Sequence, residues 1–264
     1  MQVSTLPESP SALRNLIRRG ELVKTTSGMA PGRVQTNLAV LPKSLAFDFL
    51  LFCQRNAKPC PLLEVLEPGS VSPQQMARGA DLRTDIPKYR VYQDGEMIAE
   101  VGDVSEFWRD DLVSFLLGCS FSFETAMVRA GMPLRHLEQD TTVPMYVTNI
   151  ETNPAGVFSG PTVVSMRPIP RPQIMRAVQV TSRFPATHGS PLHIGDPSII
   201  GITDISKPDF GEPTEIRDGE VPVFWACGVT PQAVAMKSKP PFMITHAPGY
   251  MFITDKLDED LAVF

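Results

Sequence analysis

The chain is poor in the features that mark several protein classes. Its four cysteines, Cys53, Cys60, Cys119 and Cys227, form no CxxC pair. That argues against a zinc finger or a disulfide framework and for a reducing cytoplasm. No apolar run approaches the ~18 residues needed to span a bilayer, so no membrane partner is expected. The first twenty residues, MQVSTLPESPSALRNLIRRG, lack the apolar core of an export signal. Basic residues form no stripe and the net charge is −5, which argues against nucleic acid. No dinucleotide fingerprint and no phosphate-loop spacing occurs, so no organic cofactor is expected.

Proline and glycine are plentiful instead, at 26 and 18 residues. They imply many turns and irregular loops rather than long helices. The 42% hydrophobic content excludes disorder, and 264 residues suffice for one large or two modest domains.

The stretch at 221–248, VPVFWACGVTPQAVAMKSKPPFMITHAP, gives the densest pattern. Val221 to Cys227 reads as a strand buried on both faces. Gly228 breaks it. Thr230-Pro231 reads as a helix start, with a hydroxyl at the N-cap and proline in the first turn. Pro240-Pro241 stops that helix, and Phe242 to Thr245 reads as another strand. Strand, helix and strand predict a parallel βαβ unit. Its turn, Cys227 to Thr230, would lie at the carboxyl end of the sheet, where open α/β sheets place ligands, with Thr245 and His246 on the same edge.

Elsewhere the spacing predicts a helix from Ser9 or Ser11 to Gly20. Residues 25–37, TTSGMAPGRVQTN, form a glycine-rich loop that is either an anion cradle built on Thr25, Thr26, Ser27, Gly28 and Gly32 or a plain connection. Leu38 to Leu41 and Leu45 to Cys53 predict a largely buried helix, and residues 60–65 a strand. Residues 66–88 read as a surface loop. Tyr89–Tyr92 and Met97–Val101 flank Asp94-Gly95 as a β-hairpin. Residues 105–131 carry the longest helical pattern. Within it GCSFSFE, residues 118–124, is either a helix break that groups Cys119, Ser120, Ser122 and a glutamate in a polar site or close packing by small residues. After Pro133, strands are predicted at 143–150, 161–169, 192–194 and 199–202, with a helix from Arg171.

These readings give a mixed three-layer α/β domain, residues 1–131 plus 215–264, with a smaller two-layer α+β domain inserted at 132–214. Polar residues gather in the insert: Asn149, Arg167, Arg183, His188, His193 and Asp196. HIGDP, residues 193–197, resembles a metal half-site but lacks further ligands, so a turn in which Asp196 bonds its own backbone is favoured and no metal is assigned.

Long phrases then carry a family resemblance: FDFLLFCQRNAKPCPLLEV (47–65), GADLRTDIPKYRVYQDG (79–95), FLLGCSFSFETAMVRAG (115–131), VSMRPIP (164–170), SRFPATHGSPLHIGDP (182–197), VFWACGVTPQAV (223–234) and ITHAPGYMFITD (244–255). The sequence resembles the hydro-lyase family related to D-glutamate cyclase, from about residue 12 to residue 255. The resemblance implies a bacterial, single-module protein of mixed α/β architecture in two parts. It implies kinship with a mitochondrial animal enzyme that converts D-glutamate to 5-oxo-D-proline and water. It transfers no catalytic residues.

Cyclising glutamate joins the α-amine to the γ-carboxyl and expels water. It needs an acid and a base, donors for an oxyanion and a cation for the α-carboxylate. His193 and His246 are the acid/base candidates, since imidazole titrates near neutral pH. Arg167 and Arg183 are the carboxylate candidates, with Asn149 and Tyr146 as neutral partners. The helix starts near Ser120 and at Thr230, the latter with Gly228, are the candidate oxyanion sites. His136 and His188 read as structural. Two other classes compete: a cysteine amidohydrolase using Cys119 or Cys227 as nucleophile, and a non-catalytic protein that binds a small carboxylate. A small-molecule carboxylate is the expected partner, a homodimer is allowed, and a divalent metal requirement stays open.

Overall fold

The structure, a computed structural model, describes residue 7 and residues 9–264. The stretch read as lacking an export signal falls partly on residues 1–6 and 8, outside the described residues. Helix α1 (Pro10–Arg18) opens the described chain. Strand β1 (Arg33–Pro42), helix α2 (Lys43–Arg55) and strands β2 (Leu62–Val65), β3 (Tyr89–Gln93), β4 (Glu96–Val101) and β5 (Leu112–Gly118) follow. Then come α3 (Phe121–Arg129), α4 (Arg135–Glu138), β6 (Met145–Glu151), β7 (Pro161–Pro170), α5 (Ile174–Ser182) and β8 (His193–Ile194). Strand β9 (Glu220–Ala226), helix α6 (Thr230–Ser238) and strands β10 (Met243–His246) and β11 (Phe252–Leu257) complete it. Among the described residues, no helix is long and apolar enough to cross a membrane.

The class is mixed α/β, but the two sheets are antiparallel. One has seven strands in the order β2-β5-β1-β10-β3-β4, with β11 pairing the first half of β1. The other has four, in the order β6-β7-β9-β8. The hairpin at Asp94-Gly95 forms as expected, both residues taking positive φ, 49° and 81°.

The inner strands of the larger sheet are buried on both faces, and β5 shows how. Leu112 and Leu116 enter one core layer, while Val113, Phe115 and Leu117 enter the other. This corrects the expected helix at 105–131, which divides into β5 and α3. The apolar residues of 112–117 mimic a helical stripe because every position of a doubly covered strand is apolar. β1 replaces the first part of the helix expected from Leu38. α2 is only half-buried, sinking Phe49, Phe52 and Cys53 and leaving Phe47 73% exposed.

Residues 66–88, expected on the surface, cover the sheet. Met76, Ala77, Ala80, Leu82 and Ile86 pack on it. Buried Glu64 accepts the N–H groups of Gln74, Gln75 and Met76 at 2.7–3.1 Å, which replaces secondary structure as the anchor. Residues 199–202 form no strand: Ile199 and Ile200 end a 3₁₀ turn, and Gly201 and Ile202 lead out of it.

The expected parallel unit at 221–245 does not form. β9 pairs β7 and β8 in the smaller sheet, while β10 pairs β1 and β3 in the larger one, and α6 crosses between the sheets. The strand expected in the 215–264 part of the body therefore belongs with 145–194. Its apolar run arises from cover on both faces: Val223 and Trp225 meet α3 and α5, and Phe224 meets Ile200 and Ile202. Burial alone does not distinguish such a strand from a parallel one.

Candidate active site

Where β5 ends, the chain must pass under the 185–187 turn. A Cβ on Gly118 would lie 1.9 Å from the carbonyl oxygen of Ala186, so only glycine fits. The chain then turns through Cys119 and Ser120 into α3. Phe123 and Met127 face the core beside Trp225. Positions 121, 124, 125 and 128 share the opposite stripe, as helical spacing requires, and line a cleft of about 430 Å³.

The glycine-rich loop walls the other side. Gly28, Ala30 and Gly32 all take positive φ, 71°, 45° and 81°. For Ala30 this is a strained conformation of the kind held at functional sites. Gln35 pins the loop by donating to Thr26 O and Met29 O at 3.0 Å. Its own N–H donates to Ser122 Oγ, and Gly32 N–H donates to Thr125 Oγ1. Loop and helix are thus tied together along the length of the cleft.

Glu124 forms its floor. Arg167, fully buried on β7, donates to Glu124 Oε1 from Nε at 3.0 Å and again from Nη2. Arg167 also donates to Ser165 Oγ and Ser120 Oγ, and lies over the Phe123 and Trp225 rings. His136 Nε2 stands 3.0 Å from the same Oε1, though not aligned as a hydrogen bond. Every one of these contacts falls on Oε1 and none on Oε2. Burial pushes the Glu124 carboxyl up, but His136 and Arg167 outweigh it and hold the group below the usual carboxylate range.

A second recess of about 320 Å³ adjoins the first and shares Pro31, Gly32, Arg33, Thr125 and Arg129 with it. Asp258, just past β11, lines it. Burial pushes the Asp258 carboxyl up to about 7; nearby Ser122 and Thr125 hydroxyls oppose this, Glu259 adds to it and Arg129 reduces it.

Of the residues singled out in sequence, the structure gathers Ser120, Ser122 and Arg167 here. Gly28 and Gly32 of the glycine-rich loop line the cleft as well, and the other positions lie apart. Cys119 and Cys227 are buried between the sheets with Val143, Met145 and Val163. Burial raises both thiols, Cys227 to about 11, so neither is a ready thiolate nucleophile. Gly228 lies against Asn37, whose Nδ2 a Cβ would approach to 1.8 Å. Thr230 is the first residue of α6 rather than its cap, and its hydroxyl donates to Cys227 O and accepts from Val163 N–H. Thr245 is fully buried. His246 is 1% exposed; its Nδ1 accepts the Leu38 N–H at 3.1 Å, and burial, with Arg90 adding, pushes the ring down to about 4.

In the smaller sheet, His193 Nε2 lies 2.7 Å from Asp196 O, and the Asp196 side chain accepts from Ser198 N–H, as the turn reading expected. Exposed Asn149 donates to Ile199 O. Tyr146 donates to Ile205 O. Arg183 donates to Phe264 O and stands 3.6 Å from Glu259. Among the described residues, no three His, Cys, Asp or Glu side chains converge as a metal site requires.

Sequence reading noted Glu124 within GCSFSFE without singling it out, and missed Gln35 and Asp258 entirely. Asp258 opens the run DEDL, which looks like a solvated charge cluster.

A mixed α/β chain with a buried acid–arginine cluster at the floor of a cleft is thus the class that the geometry defines. The family model for D-glutamate cyclase matches residues 113–255. A protein of Psychrobacter arcticus named "Putative hydro-lyase" is 64% identical over 255 residues, covering 97% of each chain. Similarly named proteins of Stutzerimonas stutzeri and Bacillus subtilis are 62% and 60% identical over 255 residues, covering 97% of this chain and 96% and 99% of theirs. The chain belongs to the D-glutamate cyclase family. A solved nitrogen repressor-like protein of Methanococcus jannaschii overlays with a TM-score of 0.39 at 11% identity, covering 96% of this chain and 100% of its own, too loosely to inform fold or function.

Proposed function

We propose that this protein is a hydro-lyase that closes D-glutamate to 5-oxo-D-proline with loss of water, in the cleft between the glycine-rich loop and α3. Family membership and the relatives' names support the reaction class. One observation carries the site: Glu124 lines the cleft and is fixed by Arg167 through Oε1 alone, which leaves Oε2 without a protein donor among the described residues. A carboxylate so held is preorganised to take a proton from the substrate ammonium, which frees the nitrogen to attack. Arg33 and Arg129 on the cleft walls supply cations for the α-carboxylate. Arg167 does not, because its donors are already engaged by Glu124, Ser120 and Ser165. The volume suits a small dicarboxylate, and Met29, Phe121 and Val128 give the cleft an apolar lining.

Mass spectrometry of purified protein with D-glutamate, L-glutamate and 5-oxoproline tests this. Loss of one water from D-glutamate, absent in Glu124→Gln, is the expected result. No loss or gain of water from any glutamate-like acid would show the reading to be wrong.

A further inference from the structure

The recess beside the cleft holds a feature that the reading above does not use. Asp258 is 5% exposed, and neither carboxyl oxygen finds a hydrogen-bond partner among the described residues. A buried, unpartnered carboxylate is costly as an anion and is comfortable only when protonated. This one is not a stray surface acid folded inward by accident of packing. Its N–H donates to Gly32 O at 3.0 Å, and Gly32 N–H donates to Thr125 Oγ1, so the 258 segment, the glycine-rich loop and α3 form one chain of contacts. Of the hydroxyls nearest Asp258, Ser122 and Thr125, Thr125 follows Glu124 directly on α3 and lines the same cleft. The charged groups around it are Arg129 on α3, Arg33 on the loop side and Glu259 beside it. None of them donates a hydrogen bond to it.

We propose that Asp258 is a second catalytic carboxyl of the site, delivering a proton to the substrate's γ-carboxylate from the adjoining recess. The inference rests on the cyclisation reading. Asp258 gives its proton to a γ-oxygen, turning an unreactive carboxylate into an electrophilic acid. The amine, having passed one proton to Glu124, bonds the γ-carbon. Asp258, now a carboxylate, takes the second proton from that nitrogen. The proton on Glu124 joins the departing oxygen as the C–O bond breaks, and water leaves. Nitrogen has lost two protons, one oxygen has gained two, and both side chains are restored. The division of labour follows a general pattern in which environment drives two carboxyls to opposite protonation states.

The test uses the full chain. The pH dependence of kcat and KM for D-glutamate is measured for the wild type and Asp258→Asn, with thermal unfolding as a check on folding. The expected result is a fall in kcat of about 10²–10⁴-fold with KM little changed, loss of the limb near neutral pH, and an equal or higher Tm. If the wild type turns over and Asp258→Asn matches it in rate and pH profile, the assignment of Asp258 falls while the cyclisation reading stands. If the wild type makes no 5-oxoproline, the reading falls and takes the assignment with it. Should Asp258→Asn fail to fold, ¹³C NMR of the native protein decides. An Asp258 carboxyl that titrates near neutral and moves when 5-oxo-D-proline is added supports the role. One that titrates in the ordinary carboxylate range and ignores that ligand overturns it.

Discussion

Two regions of this molecule bring buried polar side chains together, and they differ in what is left over. At the 227–230 turn and the neighbouring end of β10, most polar valences close on the protein itself, and the two that do not, His246 Nε2 and Thr245 Oγ1, belong to residues that line neither recess. Thr230 bonds Cys227 O and Val163 N–H, Gln232 donates to His246 O, and His246 accepts from Leu38. Asn37 fills the space beside Gly228. At the start of α3 the same kind of inventory ends on a cavity, with Glu124 held by one oxygen only and Asp258 held by none. Polar burial alone therefore does not mark a site. Unspent valence facing a cavity does.

The largest effect that separates the regions should come from Glu124→Gln. It removes the charge opposite fully buried Arg167, so stability should fall by about 3–5 kcal/mol. Turnover of D-glutamate by the folded fraction should fall by about 10²–10⁴-fold. The double change Glu124→Gln, Arg167→Met should recover much of the melting temperature and none of the turnover. Recovery of both would make the pair a structural ion pair and erase the contrast.

His246→Ala probes the other region. It empties a fully packed position, and large-to-small changes of this kind cost about 2–5 kcal/mol. Turnover by the folded fraction should not change. A well-folded His246→Ala protein without activity would move the site to the 227–230 turn.

The pH dependence of stability sharpens the same contrast. His246 and His188 are pushed down by burial to about 4. Their unfolded forms bind protons first, so stability is fully present above about pH 6.5 and is lost as pH falls toward 4, at about 1.4 kcal/mol per pKa unit for each. Asp258 has the opposite sign. Its folded form keeps a proton that the unfolded chain has lost, so its contribution falls as pH rises through the range up to about 7. Melting curves from pH 4 to 9 should lose, in Asp258→Asn, the destabilising contribution that grows between about pH 4 and pH 7, and keep it in His246→Ala. A profile over that window unchanged in Asp258→Asn would show that the carboxyl is ionised throughout.

Much of the scaffold was legible in the residues, and the reasons are local. The 94–95 turn, the strands at 145–151 and 161–170 and the helix after Arg171 announce themselves by turn chemistry, alternation and spacing. What was not legible depends on partners distant in sequence. β5 and β9 are apolar on both sides, so their pattern names neither their type nor their sheet. Residues 66–88 look like loop because Glu64 and the packing of Leu82 and Ile86, rather than a periodic backbone, hold them in place. At the site, Ser120, Ser122 and Arg167 stood out as polar residues in apolar stretches. Asp258 did not, because its protonated state comes from being covered by α3 and the glycine-rich loop, and nothing in DEDL records that cover.

The smallest effect expected is that of Asp196→Ala. Asp196 precedes a 3₁₀ turn at Pro197–Ile200 and accepts the Ser198 N–H at 2.9 Å. Losing such a cap costs about 0.5–1 kcal/mol, and an exposed four-residue turn should sit at the low end. His193 keeps its place, because it meets the Asp196 carbonyl, which alanine retains, and leans on the Phe224 ring. The pair lies on the edge strand of the smaller sheet and lines neither recess. Turnover should therefore match the wild type at every pH. A fall in turnover larger than the fall in stability would mean that the HIGDP turn acts on the substrate after all, and that unspent valence at a cavity is not enough to recognise where this chain does its chemistry.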